Sequence, residues 1–254
     1  MPTPFYHLSV AADLLRHPDL SSEARDLLQN HRGAFLLGNT APDVQTVSGQ
    51  DRQATHFFDL PILPGTQPAW DRFIAVHPSL GRPARLPPDQ TAFLAGYLCH
   101  LQADWLWVVQ IFFPVFGPDC AWQTFRERLY LHNVLRAYLD RQIIDSLDAA
   151  VGSDLQGATP RNWLPFVADD HLLVWRNLLA RQLQPGSTVE TVEVFASRQG
   201  ISPEAYYRLL SSEEKLEEEI FVHLPRRNLQ AYREGLIIEN LSLLQTYWSG
   251  EKIA

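Results

Sequence analysis

Apolar residues recur at helical spacing through most of this 254-residue chain, and no stretch longer than a few residues shows the strict alternation of a half-buried strand. That periodicity predicts an all-α fold, a multi-helix bundle in which most helices bury one stripe. A first helix is expected over 8–16. A second should run from a Ser21 or Ser22 cap to about His31, with Glu23 in its first turn. Pro87, Pro88 and Asp89 open a long apolar helix from Thr91 to about Phe113, Gly117 and Pro118 punctuate, and another helix follows to about Ala150. Further helical patterns cover roughly 161–183, 203–222 and 226–248. Residues 37–59 break the pattern with Gly38, Pro42 and Gly49, and an irregular connection of that length in a bundle often marks a functional loop.

The remaining bulk features set limits on function. With 46% hydrophobic residues the chain has enough apolar surface to form one domain over 1–254, although Pro185, Gly186 and Ser187 suggest a boundary before a C-terminal helical lid over 187–254. A net charge of -8 argues against a nucleic-acid partner gripped through its phosphates. Any phosphate chemistry would therefore need a metal. Cys99 and Cys120 are too few for a disulfide framework and match no metal-binding spacing, so they are expected as reduced thiols. The N-terminal residues MPTPFYHLSVAADLL show no basic region before an apolar one, and the apolar run 105–116 is too short to span a bilayer. A cytoplasmic protein is the expectation. The acidic stretch 211–219 is read as a solvated helix face, since Leu216, Ile220 and Phe221 resume the apolar pattern.

His100 and Asp104 carry the first chemical signal. In GYLCHLQADWLW they lie four apart on an apolar helix, one turn apart on one face, where they form either a hydrogen-bonded core pair or two ligands of one metal. An aspartate among Trp105, Leu106 and Trp107 needs a partner or a cation, because a bare buried carboxylate is costly. The irregular loop offers Asp43, in LLGNTAPDVQ, and His56, in QATHFFDL. Taken singly, each reads as an ordinary turn or loop residue. Two imidazoles and two carboxylates together suit zinc or a similar divalent ion with one position left open.

The order and wording of these segments resemble the zinc-dependent phospholipase C family, which includes the catalytic domain of glycosylphosphatidylinositol phospholipase D. The matching stretches are YHLSVAADLL with His7, FLLGNTAPD with Asp43, ATHFFD with His56 and AFLAGYLCHLQAD with His100 and Asp104, over about the first 110 residues. The resemblance implies a helical bundle of the zinc phospholipase C and fungal single-strand nuclease type. It also implies one zinc ion on Asp43, His56, His100 and Asp104, and a second on His7 with Asp104 bridging. Two such ions activate water and neutralise phosphoryl oxygens, with Asp43 both a ligand and a candidate proton acceptor. The sequence departs from the family at Gln110, where a further histidine is expected. It departs again after His132, where Arg136 stands in place of the glutamate of an HxxxE pair. His132 remains a candidate ligand or a buried structural histidine.

The other histidines weigh less: the Asp170-His171 pair reads as helix surface, and His17, His31, His77 and His223 sit near helix ends or turns, where imidazoles meet terminal carbonyls. The aromatic run at Trp105, Trp107, Phe112, Phe113 and Phe116 is either core or the wall of a lipid cleft. The implied function is hydrolysis of a phosphodiester, phospholipid-like by resemblance and with peripheral membrane contact in that case. The alternatives are a non-catalytic metal-binding protein and a helical interaction module.

Overall fold

A computed structural model describes residues 1–122 and 124–250 of the protein. Among the described residues every regular element is helical, as the apolar periodicity predicts. The main helices are α1 (Pro4–Arg16), α2 (Ser22–Asn30), α3 (Arg32–Gly38), α4 (Arg52–His56), α5 (Ala69–Val76), α6 (Pro88–Trp107), α7 (Phe125–Ile143), α8 (Val151–Gly157), α9 (Asp169–Gln182), α10 (Thr191–Gln199), α11 (Pro203–Leu210) and α12 (Arg226–Ser249). The first begins earlier than expected because the Thr3 hydroxyl accepts from the Tyr6 amide at 3.2 Å, and Pro4 occupies a first-turn position that needs no amide. In α2, Ser21 is the cap, accepting from the Ala24 amide.

Several boundaries depart from the sequence reading. The long helix ends at Trp107, where a π-helical turn (Val108–Phe112) and a short helix (Phe113–Phe116) take over. Its successor α7 stops at Ile143 rather than near Ala150. Residues 161–168 are irregular, with Asn162 at φ 56 and Pro165 ahead of α9. The 203–222 pattern is cut when the Ser212 hydroxyl caps a new helix by accepting from Lys215. The loop 37–59 contains a 3-10 turn (Ala41–Val44) and two short helices, and Phe57 closes the second of these in a left-handed conformation, φ 59.

At the centre lies α6, buried continuously from Thr91 to Asp104, which explains why it shows no polar face. It crosses α3 at very close range. A Cβ on Gly38 would collide with the Phe93 carbonyl, and one on Gly96 with the Phe35 carbonyl, so only glycine permits this approach. The C-terminal α12 packs on the same body. Tyr232 donates to the Ala103 carbonyl at 2.9 Å, while Arg233 donates to Ser9 at 3.0 Å and to Asp13 at 2.6 Å.

Candidate metal centre

Five of the six residues singled out in the sequence come together in the interior. From α1 comes His7, from the 3-10 turn Asp43, from the end of α4 His56, and from consecutive turns of α6 His100 and Asp104. All but Asp43 are buried; its side chain keeps 22% exposure. The His7 and His100 rings stack with centroids 3.9 Å apart. Asp104 presents Oδ1 to His7 Nε2 at 3.4 Å and Oδ2 to His56 Nε2 at 3.4 Å and His100 Nε2 at 3.7 Å. The Asp43 carboxylate reaches His56 Nε2 at 3.4 Å. These atoms form two overlapping sets, His7 with His100 and Asp104, and Asp43 with His56 and His100.

The surrounding backbone fixes which nitrogen of each ring is free. The His100 Nδ1–H donates to the Asn39 carbonyl at 2.8 Å, a contact that exists because Gly38 and Gly96 let α3 and α6 meet. Around His56, Nδ1 lies 3.2 Å from the Arg52 carbonyl and 3.0 Å from the Thr55 hydroxyl. A ring whose Nδ1–H is engaged by a carbonyl offers its Nε2 lone pair outward, the arrangement metal-binding histidines use. Among the described residues, four buried atoms at the centre, His7 Nε2, His56 Nε2, His100 Nε2 and Asp104 Oδ1, form no hydrogen bond and approach cluster atoms no closer than 3.4 Å.

Charge in the cluster is held in the form a cation needs. Burial pushes His100 down to about 3, with the neighbouring His7 adding to the effect against the pull of Asp104 and Asp43, so its ring is neutral at physiological pH. Burial works to raise the Asp104 carboxyl, but His100, His7, His56 and Arg52 outweigh it and hold the group well below the usual carboxylate range. At Asp43 burial is likewise overcome, by His56 and His100, and the carboxyl is lowered. The separations also suit zinc. Atoms about 2.0–2.1 Å from a tetrahedral zinc lie about 3.3 Å from one another, close to the 3.4 Å spacings found here.

His132 does not join them. Its Nε2 accepts from the Trp107 indole at 2.9 Å, and Phe112 and Phe116 flank its ring at 4.9 and 5.1 Å. Gln110 is exposed on the π-helical turn. Much of the aromatic run closes around His132 and the core rather than around the cluster.

One member escaped the sequence reading. Arg52 donates from Nη2 to Asp104 Oδ2 at 3.0 Å and lies over the Phe58 ring, 4.4 Å from its centroid. Its spacing of four residues before His56, one turn of helix, is the signal that would have found it.

Residues 3–107 match the zinc-dependent phospholipase C family. The resemblance read in the sequence therefore holds over this stretch, which is less than half of the chain. It includes all five clustered residues of the phospholipase C match and ends before His132. No curated protein and no solved structure matches the chain. Among the described residues no helix is long and apolar enough to cross a membrane.

Proposed function

We propose that the protein is a zinc-dependent phosphodiester hydrolase of the phospholipase C kind. The observation that carries this reading is the group of four buried, unpartnered atoms on His7, His56, His100 and Asp104. Three imidazole nitrogens and a carboxylate oxygen left unbonded in an interior cost several kcal/mol, on the order of 1–3 each, unless a cation meets them. Asp43, His56 and His100, with Asp104 Oδ2, would hold one ion. His7 with Asp104 Oδ1 would hold a second.

Zinc, when bound, supplies a Lewis acid that polarises a phosphoryl oxygen and brings the pKa of water towards neutrality. The chain's own residues do the rest. Asp43, ionised and the one partly exposed side chain among the five candidate ligands, accepts the proton of the attacking water as well as serving as a ligand. Arg52 orients Asp104 and keeps it charged. The Asn39 and Arg52 carbonyls hold the His100 and His56 rings in the tautomer that leaves Nε2 free. Phospholipid-like phosphoesters are the substrate class that the family match supports.

Turnover of bis(4-nitrophenyl) phosphate tests the reading. The native chain should hydrolyse it, and Asp104→Asn should abolish hydrolysis, as should a chelator. A metal-loaded native chain with no turnover would contradict the enzyme and leave a metal-binding protein without catalysis.

A further inference from the structure

Beside the metal cluster opens a cleft of about 190 Å3, with Asp43 in its wall, so cleft and cluster share a residue. Apolar side chains line much of it: Phe5 from α1, Trp175, Leu178 and Leu179 from α9, and Val194 and Phe195 from α10. Two cations face the same space, Arg136 from α7 and Arg198 from α10. The Arg136 guanidinium lies 4.2 Å from the centroid of the Phe195 ring. It donates from Nη1 to the Met1 carbonyl at 3.2 Å and from Nη2 to the Asn133 carboxamide, and its buried Nε has no partner.

Neither arginine is bonded to a carboxylate. Arg198 is exposed and forms no ion pair among the described residues. The other acidic residue of the wall, Glu190, is taken by Arg181 at 3.0 Å. Burial lowers Arg136 to about 10, against the more distant pull of Asp43, Asp140 and Asp104, and Arg198 adds to the lowering. Two like charges at a half-buried wall repel unless an anion sits between or upon them. In a chain of net charge -8, such a pair is a local exception.

We propose that this cleft is an anion subsite that selects phosphoesters whose second substituent joins an apolar body to a negative charge of its own. Trp175 and Phe195 contact the apolar body, and Arg136 and Arg198 meet the charge. That the bound group belongs to a substrate rests on the hydrolase reading; the preference for an anionic, apolar molecule does not.

Calorimetric titration of the full chain with octanoate and with octanamide, which share size and apolar length but differ in charge, tests the preference directly. Octanoate should bind about tenfold more tightly, the ratio expected for one charge-assisted hydrogen bond at a half-buried site. Arg198→Gln, at an exposed position that leaves the fold intact, should cut octanoate affinity several-fold and leave octanamide unchanged, and Arg136→Gln should act in the same direction. Excess chelator should leave octanoate binding in place. Equal affinities, an Arg198→Gln variant that binds octanoate like the native chain, or loss of binding in chelator would overturn the proposal, the last by assigning the carboxylate to a metal ion. Octanoate selectivity in a chain found to hold no metal would sustain the subsite while removing the hydrolase reading.

Discussion

Asp140 shows how a single buried group writes itself into the pH dependence of the fold. Its carboxylate accepts from the Thr3 hydroxyl and from Thr191 at 2.6 Å, tying the cap of α1 to α7 and α10. Burial pushes the carboxyl up to about 7, against the pull of the two hydroxyls, Arg136 and His7. In the unfolded chain the same group titrates near 3.9, as free aspartates do. Between those values the native state holds a proton that the unfolded state has lost, so this group's contribution to stability falls as pH rises from about 4 to 7 and is level above. Asp140→Asn removes the titration. The melting temperature of the variant relative to the native chain should therefore climb from pH 4 to pH 8; a constant difference across that range would contradict the assignment. No local spacing in the sequence marks Asp140, because its partners Thr3 and Thr191 are remote along the chain. His100 and Asp104 were legible for the opposite reason. Their pairing is local, one helical turn, and their apolar flanks already required compensation.

At the scale of elements, the candidate metal site depends on one helix crossing. Gly38 and Gly96 let α3 and α6 meet closely enough for the Asn39 carbonyl to fix the His100 ring. Gly96→Ala should push the helices apart and destabilise the fold by about 1–3 kcal/mol, the usual range for overpacking. Gly157→Ala meets open space and should stay within about 0.5 kcal/mol of the native chain. Chemical denaturation of the two variants checks the contrast, and equal midpoints would contradict the close-crossing account. The long helices α6, α7 and α12 were readable because each offers many turns of apolar repeat. Short helices such as α3, α5, α8 and α10 give too few turns for a period to register, and tertiary packing decides them. Gln110, which stands where the family would have a further histidine, lies on the π-helical turn after Trp107 and faces solvent.

For the whole molecule, the family match and the histidine–aspartate cluster occupy the first 107 residues, and the later helices complete the surroundings. Helix α9 anchors the loop of Asp43, since Trp175 donates to the Thr40 carbonyl at 2.8 Å, and α9 and α10 form the apolar wall of the cleft. None of that was visible in the sequence, because cleft walls assembled from helices far apart along the chain leave no local spacing to read. Nor is α12 detached from the body, as its bonds to Ala103, Ser9 and Asp13 show. On the reading proposed above, His7, Asp43, His56, His100 and Asp104 hold metal. The most direct test is elemental analysis of the purified native chain alongside a His100→Ala variant of confirmed helical content. One to two zinc ions per native chain, with most of that metal lost in the variant, is the expected result. A native chain that contains no zinc or other divalent metal, and takes none up when it is supplied, would contradict the account.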